Sequence, residues 1–412
     1  MLENYFKIAM AILKRRKFFT FISLFGISFT LTILIVLTAF IDKIIADNYP
    51  NAKNDRSLYV KNLEERGGEK DHFSSASGPM SFYFLDHFVG SLKTPIRIAI
   101  CSFYNSTNTY VNNKKMVIDY KYTNAAYWDA LDYEFLEGKP FDNQQVKSGD
   151  LVAVISEDIK VKYFGDMASV VGKYIEADNV RYRVCGVVKN VPITSYMFYG
   201  EMYLPYTVSK TGYKDQSYRG DYLAILLAGS QAEVPKMQEE FDQMVRKIPM
   251  ESKSYDTIFC HADSYLTGYL RTGNEASSGM TYAILAIAIF VIIFMLLPTL
   301  NLVNINITRI MERSSEIGVR KAFGASSKTL VYQFIVENLI LTLLGGIIGF
   351  ILSAIILLCI NNADLIPNLH LSLSLTVFFV GMITCLIFGL LSGVYPAWRM
   401  SKMNVINALK EQ

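Results

Sequence analysis

Residues that could bind phosphate or metal occur in this sequence, but their spacing fits neither chemistry. A phosphate-binding loop needs the pattern GxxxxGK[ST], which places backbone N–H groups around a phosphate. Gly318 and Gly324 are separated by five residues instead of four, and Ala325 stands where a lysine is needed. The four histidines have no metal-ligand spacing: they are His72, His87, His261 and His370. HExxH and GxSxG motifs are also absent. The sequence therefore predicts that this chain has no catalytic residue, metal or cofactor and that it is not an enzyme.

One charged segment, residues 309–328, has the pattern of a short two-sided helix. Glu316 precedes Arg320 by four residues, which is the favourable order for a helical ion pair. Gly324 is a good helix stop, and Ser326 is a good N-cap for a following helix. This pattern favours a helix that docks onto a soluble partner; an ordinary polar connection is the alternative.

Four long runs without a charged residue flank this segment and predict four transmembrane helices. They are residues 18–41, 276–308, 338–363 and 371–398. Each run exceeds the roughly 20 apolar residues that cross a bilayer core. The chain is 51% hydrophobic and only 19% charged, whereas soluble domains carry about 25% charge. Buried core helices of a soluble protein are therefore a poor alternative.

The distribution of charge predicts the orientation of these helices. Residues 1–17, 309–328 and 399–412 together carry 13 Lys and Arg against four Asp and Glu, whereas residues 42–279 carry 27 against 31. The positive-inside rule then places both termini and residues 309–328 in the cytoplasm. The net charge of +3 excludes a nucleic-acid binder driven by bulk charge.

We therefore predict nine consecutive segments. They are a cytoplasmic amphipathic helix that contacts membrane lipids (1–17), a first span (18–41), an extracytoplasmic α+β domain (42–279), a second span (280–308), a cytoplasmic coupling loop (309–328), a third span (329–360), an outer hairpin (361–370), a fourth span (371–398) and a cytoplasmic tail (399–412).

The extracytoplasmic segment has a strand–helix–strand pattern at each end. The first covers strands at 57–60 and 96–103 around a helix at 81–92, and the second covers strands at 222–227 and 254–260 around a helix at 232–247. Two such units can form one ferredoxin-like sheet. The strand-rich residues 110–219 would be an inserted subdomain. Its three cysteines allow at most one disulfide, which the sequence leaves open: they are Cys101, Cys185 and Cys260.

Spans three and four carry small residues at a spacing of four, which lets helix backbones approach closely in lipid. These residues are Gly345, Gly349 and Ser353 in span three, and Gly381, Cys385, Gly389 and Gly393 in span four. We expect them to pack within a bundle or a dimer; chance occurrence is the alternative. Glu337 is the one ionisable candidate in the spans, and we interpret it as an interfacial carboxylate rather than a proton carrier.

Several stretches resemble the FtsX/MacB-type permeases of ABC transporters. In the membrane part these are ERSSEIGVRKAFGAS (312–326), QFIVEN (333–338), LLGG (343–346) and the closing GLLSGVYPAWRMSKMNVINALK from Gly389. In the outer part, LEGKPF (136–141), VAVISEDIKVKYFG (152–165), VGKYI (171–175) and YRVCGVVKNVP (182–192) are similar to the periplasmic core domain of that family. The resemblance thus covers nearly the whole chain.

The resemblance implies four spans in a Gram-negative inner membrane and a ferredoxin-like porter part with an inserted sabre part. It also implies dimers, with itself or a related permease, and a coupling helix that docks on an ABC ATPase. On matching positions that role falls on Arg313, Glu316, Ile317, Gly318, Arg320, Lys321, Gly324 and Ala325. MacB-type pumps fuse ATPase and permease, whereas only 17 residues precede the first span here. We therefore expect a separate ATPase chain that binds ATP and Mg²⁺, and a periplasmic adaptor and outer-membrane channel are further candidate partners.

The expected function is mechanotransmission, in which ATP hydrolysis moves the outer domain to expel antibiotics, peptides or lipoproteins. A receptor or scaffold that works without ATP is the alternative, as is an FtsX-like regulator of cell-wall hydrolases. The nearly charge-free spans favour mechanical work over a polar path through the bilayer.

Overall fold

A computed structural model shows how the described parts of the chain fold. The described residues are 11, 15, 17–46, 49–67, 74–111, 114–209, 213–271, 278–294, 296, 327–363, 369 and 371–401. They divide into two compact units. The membrane unit lies within Met1–Lys43, Ile284–Leu365 and His370–Gln412, and the outer unit within Ile44–Ala283 and Ile366–Leu369. The predicted amphipathic helix at 1–17 and the cytoplasmic tail fall almost wholly outside the described residues.

The secondary-structure elements have the following bounds. The helices are α1 (Lys17–Ala46), α2 (Phe82–His87), α3 (Ala126–Ala130), α4 (Asn143–Ser148), α5 (Glu157–Ile159), α6 (Val234–Val245), α7 (Tyr265–Leu270), α8 (Met280–Phe294), α9 (Ser327–Asn362) and α10 (Leu375–Ser401). The strands are β1 (Ser57–Val60), β2 (Leu63–Gly67), β3 (Ser74–Gly78), β4 (Arg97–Ser102), β5 (Asn105–Val111), β6 (Lys114–Thr123), β7 (Phe135–Gly138), β8 (Val152–Ser156), β9 (Tyr174–Ala177), β10 (Val180–Val188), β11 (Met202–Pro205), β12 (Tyr222–Leu227) and β13 (Thr257–Cys260).

The outer unit contains a ten-stranded sheet and a three-stranded sheet. The large sheet has the order β1-β12-β4-β6-β11-β8-β10-β7, with β5 paired to β6 and β9 paired to β10. The small sheet has the order β13-β2-β3. A single bridge between Tyr59 and Asp263 places the residues after β13 beside β1. The strands of residues 110–219 therefore continue the same sheet as β1, β12 and β4.

The side chains of β12 alternate between two hydrophobic cores, because successive residues of a strand point to opposite faces. Leu223 and Ile225 belong to the core that holds Tyr127 of α3. Ala224 and Leu226 belong to the core that holds Phe241 of α6. All six residues of β12 are buried, which explains its unbroken apolar sequence.

Local capping sets the ends of the short helices. The Ser81 hydroxyl accepts the Phe84 N–H at 3.0 Å at the start of α2. The predicted helix at 81–92 starts there, but its second half is a separate 3₁₀ turn at Val89–Ser91. At α4, Asp142 and Gln145 form a reciprocal capping box that satisfies two backbone donors.

The membrane unit is built on long apolar helices. Among the described residues, the segments Lys17–Lys43 and Ile335–Asn362 are long and apolar enough to cross a membrane. Met280–Phe294 and Leu375–Ile387 are apolar but shorter. The Asn361 side chain joins the end of α9 to the residues that precede α10 by two 2.9 Å hydrogen bonds, donating to the Leu371 carbonyl and accepting the Leu371 N–H.

The small sheet contains a buried carboxylate, Glu65. Glu65 of β2 is fully buried, and its nearest described cation is the Arg219 guanidinium at 3.8 Å. Burial, together with the neighbouring Glu251 carboxylate, raises the pKa of Glu65 above its ordinary value. Glu251 itself accepts the Tyr218 N–H at 3.0 Å, which holds it in place.

We predict that Glu65→Gln stabilises the protein at neutral pH. Because the pKa of Glu65 is raised in the folded state, the folded state binds this proton more tightly than the unfolded state does. The protonated Glu65 side chain therefore contributes to the free energy of unfolding at pH values below its ordinary pKa of 4.5. This contribution is lost as the pH rises through the pKa of Glu65 in the folded state. Thermal unfolding in detergent from pH 4.5 to 8 should show a midpoint difference, variant minus wild type, that grows with pH. A constant difference would contradict the prediction.

Candidate functional site

The residues predicted to couple to an ATPase lie outside the described part of the chain. They are Arg313, Glu316, Ile317, Gly318, Arg320, Lys321, Gly324 and Ala325. The description resumes at Ser327, where α9 begins. The site that the structure does describe is the packing of the helix that follows this segment.

The small residues of α9 lie against α1. A Cβ atom placed on Gly345 would lie 2.8 Å from Ile27 Cγ2 and 2.9 Å from Ile27 Cβ. A Cβ placed on Gly349 would lie 2.9 Å from the Ser28 carbonyl oxygen and 3.1 Å from Leu31 Cβ. The neighbouring atoms are a branched Cβ and a backbone carbonyl, which cannot move independently of the helix. The two helices therefore approach to a distance that only glycine permits.

Hydrogen bonds reinforce the same contact. The Thr32 hydroxyl lies 2.7 Å from the Ser28 carbonyl in its own helix and 3.2 Å from the Gly349 carbonyl in α9. The buried Ser353 hydroxyl donates to that same Gly349 carbonyl at 2.6 Å, within α9. An interhelical hydrogen bond such as that from Thr32 contributes about 0.6 kcal/mol on average within a membrane.

The small residues of α10 meet α1 through its larger side chains. A Cβ on Gly381 would lie 3.0 Å from Leu31 Cδ2, and Cys385 packs in one cluster with Ile27, Leu31 and Leu34. Gly389 and Gly393 lie further along α10, and the structure does not describe the contacts of these two residues.

Sequence reasoning missed two features of this packing. Gly346 faces Met382 of α10, so that an added Cβ would overlap the end of that side chain. Ser28 and Thr32 provide the matching small surface on α1. Ser28 and Thr32 are four residues apart, as Gly345 and Gly349 are, so the same spacing of small residues in the first span predicts this packing surface.

Glu337, interpreted from the sequence as an interfacial carboxylate, has a buried side chain. It lies in the membrane unit, next to the buried Asn338. The nearby core contains Leu24 of α1 with Val336, Ile340 and Leu341. The interfacial interpretation stays a prediction, and the structure adds that α1 packs against this part of α9.

Buried ionisable groups in the outer unit serve packing rather than reaction chemistry. Lys121 is fully buried, donates to the Met197 carbonyl at 2.5 Å, and has its pKa lowered by burial. Cys101, Cys185 and Cys260 are buried free thiols, and burial raises the pKa of Cys185 to about 11. Within the described ranges, no three His, Cys, Asp or Glu side chains are placed to hold a metal ion.

A cavity of about 640 Å³ opens in the outer unit. Its walls include the stacked rings of Phe82 and Tyr206, with centroids 3.8 Å apart, and the ring of Trp128. At its rim, Arg97 Nε donates to the Asp129 carboxylate at 3.0 Å. The lining also includes the charged residues Asp86, Asp142 and Lys147. The arrangement of the described residues can transmit force or bind a ligand.

Comparison with known proteins identifies both parts of the chain. The MacB-like periplasmic core domain family matches residues 20–244, which is more than half of the chain. The FtsX-like permease C-terminal family matches residues 288–405.

Curated relatives of the chain are export ATP-binding/permease proteins. The macrolide export ATP-binding/permease protein MacB of Salmonella typhimurium is 23% identical over 413 residues, covering 98% of this chain and 60% of the relative. The pyoverdine export ATP-binding/permease protein PvdT of Pseudomonas aeruginosa is 26% identical over 290 residues, covering 70% of this chain and 42% of the relative. The chain therefore spans about 60% of the length of the MacB relative.

Similar solved structures come from the same group of proteins. The periplasmic region of MacB from Actinobacillus actinomycetemcomitans covers 57% of this chain and 100% of its own, with a TM-score of 0.37 and 15% identity. The extracellular domain of the noncanonic ABC-type transporter YknZ from Gram-positive bacteria covers 45% of this chain and 91% of its own, with a TM-score of 0.34 and 18% identity.

The two family matches account for most of the chain, and their order along it agrees with the division into an outer unit and a membrane unit. The chain belongs to the family of ABC transporter permeases that join a MacB-like periplasmic core domain to an FtsX-like permease domain.

Proposed function

We propose that this protein is the permease of an ABC exporter, and that it transmits the energy of ATP hydrolysis to its periplasmic domain as mechanical work. The observation that carries the proposal is the FtsX-like match over residues 288–405, because it contains the charged segment 309–328 between two apolar runs. This segment docks on an ABC ATPase, which binds ATP and Mg²⁺. Two copies of the permease, or this chain and a related one, work together in an inner membrane.

The proposed topology has four spans, with both termini in the cytoplasm and residues 42–279 in the periplasm. The excess of Lys and Arg in residues 1–17, 309–328 and 399–412 supports this orientation. The apolar helices Met280–Phe294 and Leu375–Ile387 support the second and fourth spans.

A ferredoxin-like core in the periplasmic domain is part of the proposal. Its four strands would be β1, β4, β12 and β13, with α2 and α6 as the two crossover helices. The neighbours β1-β12-β4 support this core, and so does the bridge from Tyr59 to Asp263, which brings the residues after β13 beside β1 although β13 itself pairs with β2. Residues 110–219 would extend this core as the sabre part.

Rigid packing in the membrane unit supports a mechanical role. In lipid there is no hydrophobic force between helices, so their association depends on close contact and hydrogen bonds. Gly345 and Gly349 give α9 and α1 such a contact. A displacement of residues 309–328 would then move α9 and α1 together, and α1 extends without interruption from Lys17 to Ala46.

The relatives support export as the kind of work done, since their names describe export of macrolides and of pyoverdine. The proposed cargo is an antibiotic, a peptide or a lipoprotein. The compound whose export is lost without this chain, and returns when the chain is supplied again, identifies the class. A receptor that works without ATP is the second candidate, and the cavity beside Trp128 is the observation that favours it.

We predict that Glu316→Lys and Gly318→Pro uncouple the ATPase while the permease stays folded. The first reverses a charge on the docking face, and the second breaks the helix by removing a backbone donor. The tagged protein is purified in mild detergent, and ATP turnover of the eluate is measured. We expect a P-loop protein to co-purify with the wild type and turnover to fall at least fivefold in both variants. Unchanged turnover would overturn the coupling assignment, and a wild type that elutes alone without turnover would favour the receptor.

We predict that Gly349→Ala destabilises the membrane unit more than Gly381→Ala does. The new methyl at 349 meets the Ser28 backbone carbonyl, whereas the methyl at 381 meets the mobile end of Leu31. Overpacking of this kind costs about 1–3 kcal/mol. Thermal unfolding of the full chain in detergent measures the difference, and Gly381→Ala is the matched control. Equal midpoints for the two variants would contradict the packing described above.

A further inference from the structure

The two segments that connect the outer unit to its flanking spans meet on one strand. Residues 49–56 lead from α1 into β1, and residues 263–271 lead from β13 towards α8. Tyr59, in the middle of β1, contacts both segments. Its hydroxyl donates to Asn51 Oδ1 at 2.5 Å, its N–H donates to the Asp263 carbonyl at 2.7 Å, and its carbonyl accepts the Asp263 N–H at 3.0 Å.

A buried ion pair fixes the second segment at this point. Arg271 Nη2 donates to Asp263 Oδ1 at 2.8 Å, and Arg271 Nε donates to Oδ2. Both side chains are only 7% exposed. A bidentate pair that water cannot reach holds its geometry more firmly than an exposed pair does. The pair therefore links the residue that follows the short helix α7, Arg271, to Asp263, which lies two residues before that helix.

A third contact ties this pair to the residue that follows β1. Lys61, immediately after β1, donates from Nζ to the Arg271 carbonyl at 3.0 Å across 210 positions of sequence. Tyr265 of α7 packs its ring edge-on against Tyr59, with centroids 5.5 Å apart. Arg271 is therefore held through its side chain by Asp263 and through its backbone by Lys61.

We propose that Asp263, Arg271 and Lys61 form a clamp that holds the second connecting segment on β1, and that this clamp and the Tyr59–Asn51 hydrogen bond make both connecting segments pull on β1 as one body. This inference rests on the proposed function and specifies where force enters the periplasmic sheet. β1 is hydrogen-bonded to β12 along Ser57–Val60, and β12 to β4, so the loaded strand adjoins the centre of the core. Arg271 and Asp263 are positioning residues, which act through the backbone that they hold.

The energetics favour a positional role for the pair. Burying two charges costs several kcal/mol for each ion, and apolar replacements of similar volume are often equally stable. The net stability gained from such a pair is therefore small, whereas its directional contacts fix one geometry. An alternative apolar packing at this place would keep the fold but would let the segment at 263–271 slide against β1.

The test compares ATP turnover with movement of the outer unit in the same sample. The full-length protein and its co-purified ATPase are placed in lipid nanodiscs. Nitroxide labels are attached at Lys173→Cys in a Cys359→Ser background, because Lys173 is exposed and the other described cysteines are buried. The distance between labels on two copies is measured by pulsed electron paramagnetic resonance with and without ATP.

In Arg271→Gln and Asp263→Asn, we expect the ATP-dependent distance change to fall at least threefold while ATP turnover stays within twofold of the wild type. The double variant should lose no more than either single variant, because the same contact is removed. Arg181→Gln is the matched control: Arg181 and Glu176 form an exposed pair at 3.3 Å, and its removal should change neither readout.

A full distance change in either clamp variant, with a wild type that moves, would overturn the clamp and leave the proposed function standing. No ATP-dependent change in the wild type would overturn both. If the ion-pair variants do not fold, Lys61→Met removes only the contact to the Arg271 carbonyl. It should reduce the distance change at least twofold, and an unchanged value would also overturn the clamp.

Discussion

The contact between α1 and α9 at Gly345 and Gly349 is the constraint on which the membrane unit depends. Helices in lipid gain nothing from hiding apolar surface from one another, so their order must come from shape and hydrogen bonds. A glycine opposite the Ser28 carbonyl provides the shape, and the Thr32 hydroxyl adds the hydrogen bond. Larger residues at these positions would separate the helices, and the cluster around Leu31 and Cys385 would lose its support.

The outer unit obtains its order from a different source. It folds in water, and its central strands have hydrophobic cores on both faces, so burial of apolar area supplies the main driving force. The cores containing Phe241 and Tyr127 lie on opposite sides of β12 and must both form for that strand to be covered. One chain therefore combines an outer unit stabilised mainly by the hydrophobic effect with a membrane unit stabilised mainly by close packing and hydrogen bonds between helices.

Local patterns in the sequence predicted elements well where one interaction decides the structure. The strand at 57–60 and the strand at 222–227 form at those residues, because short apolar runs between turn residues have few alternatives. The helix predicted at 81–92 is shorter, because the chain tightens into a 3₁₀ turn at Val89–Ser91. The pairing of strands that are far apart in the sequence could not be predicted. For example, β13 pairs with β2, and nothing local in either strand specifies that partner.

The candidate site shows the same limit. The spacing of Gly345 and Gly349 identified a packing surface, but the identity of the opposing helix required the structure. The burial of Glu337 could not be read from the sequence either, because it depends on the contact that α1 makes with this part of α9. Charge patterns predict which side of a membrane a segment occupies, and they say little about which neighbour shields a single residue.

The placement of buried charge in the outer unit separates structural from mechanical roles. Lys121 is satisfied by a backbone carbonyl inside the core, far along the sequence from either span, and holds a loop around Met197. Asp263 and Arg271 are buried close to the end of the described part of the outer unit, in the segment that leads towards α8. Burial of a charge is costly at both places, but under the proposed mechanism only a contact between a connecting segment and the sheet lies in the path of a force. The proposed mechanism therefore requires stiffness at that junction, and a buried bidentate ion pair provides contacts of fixed direction there.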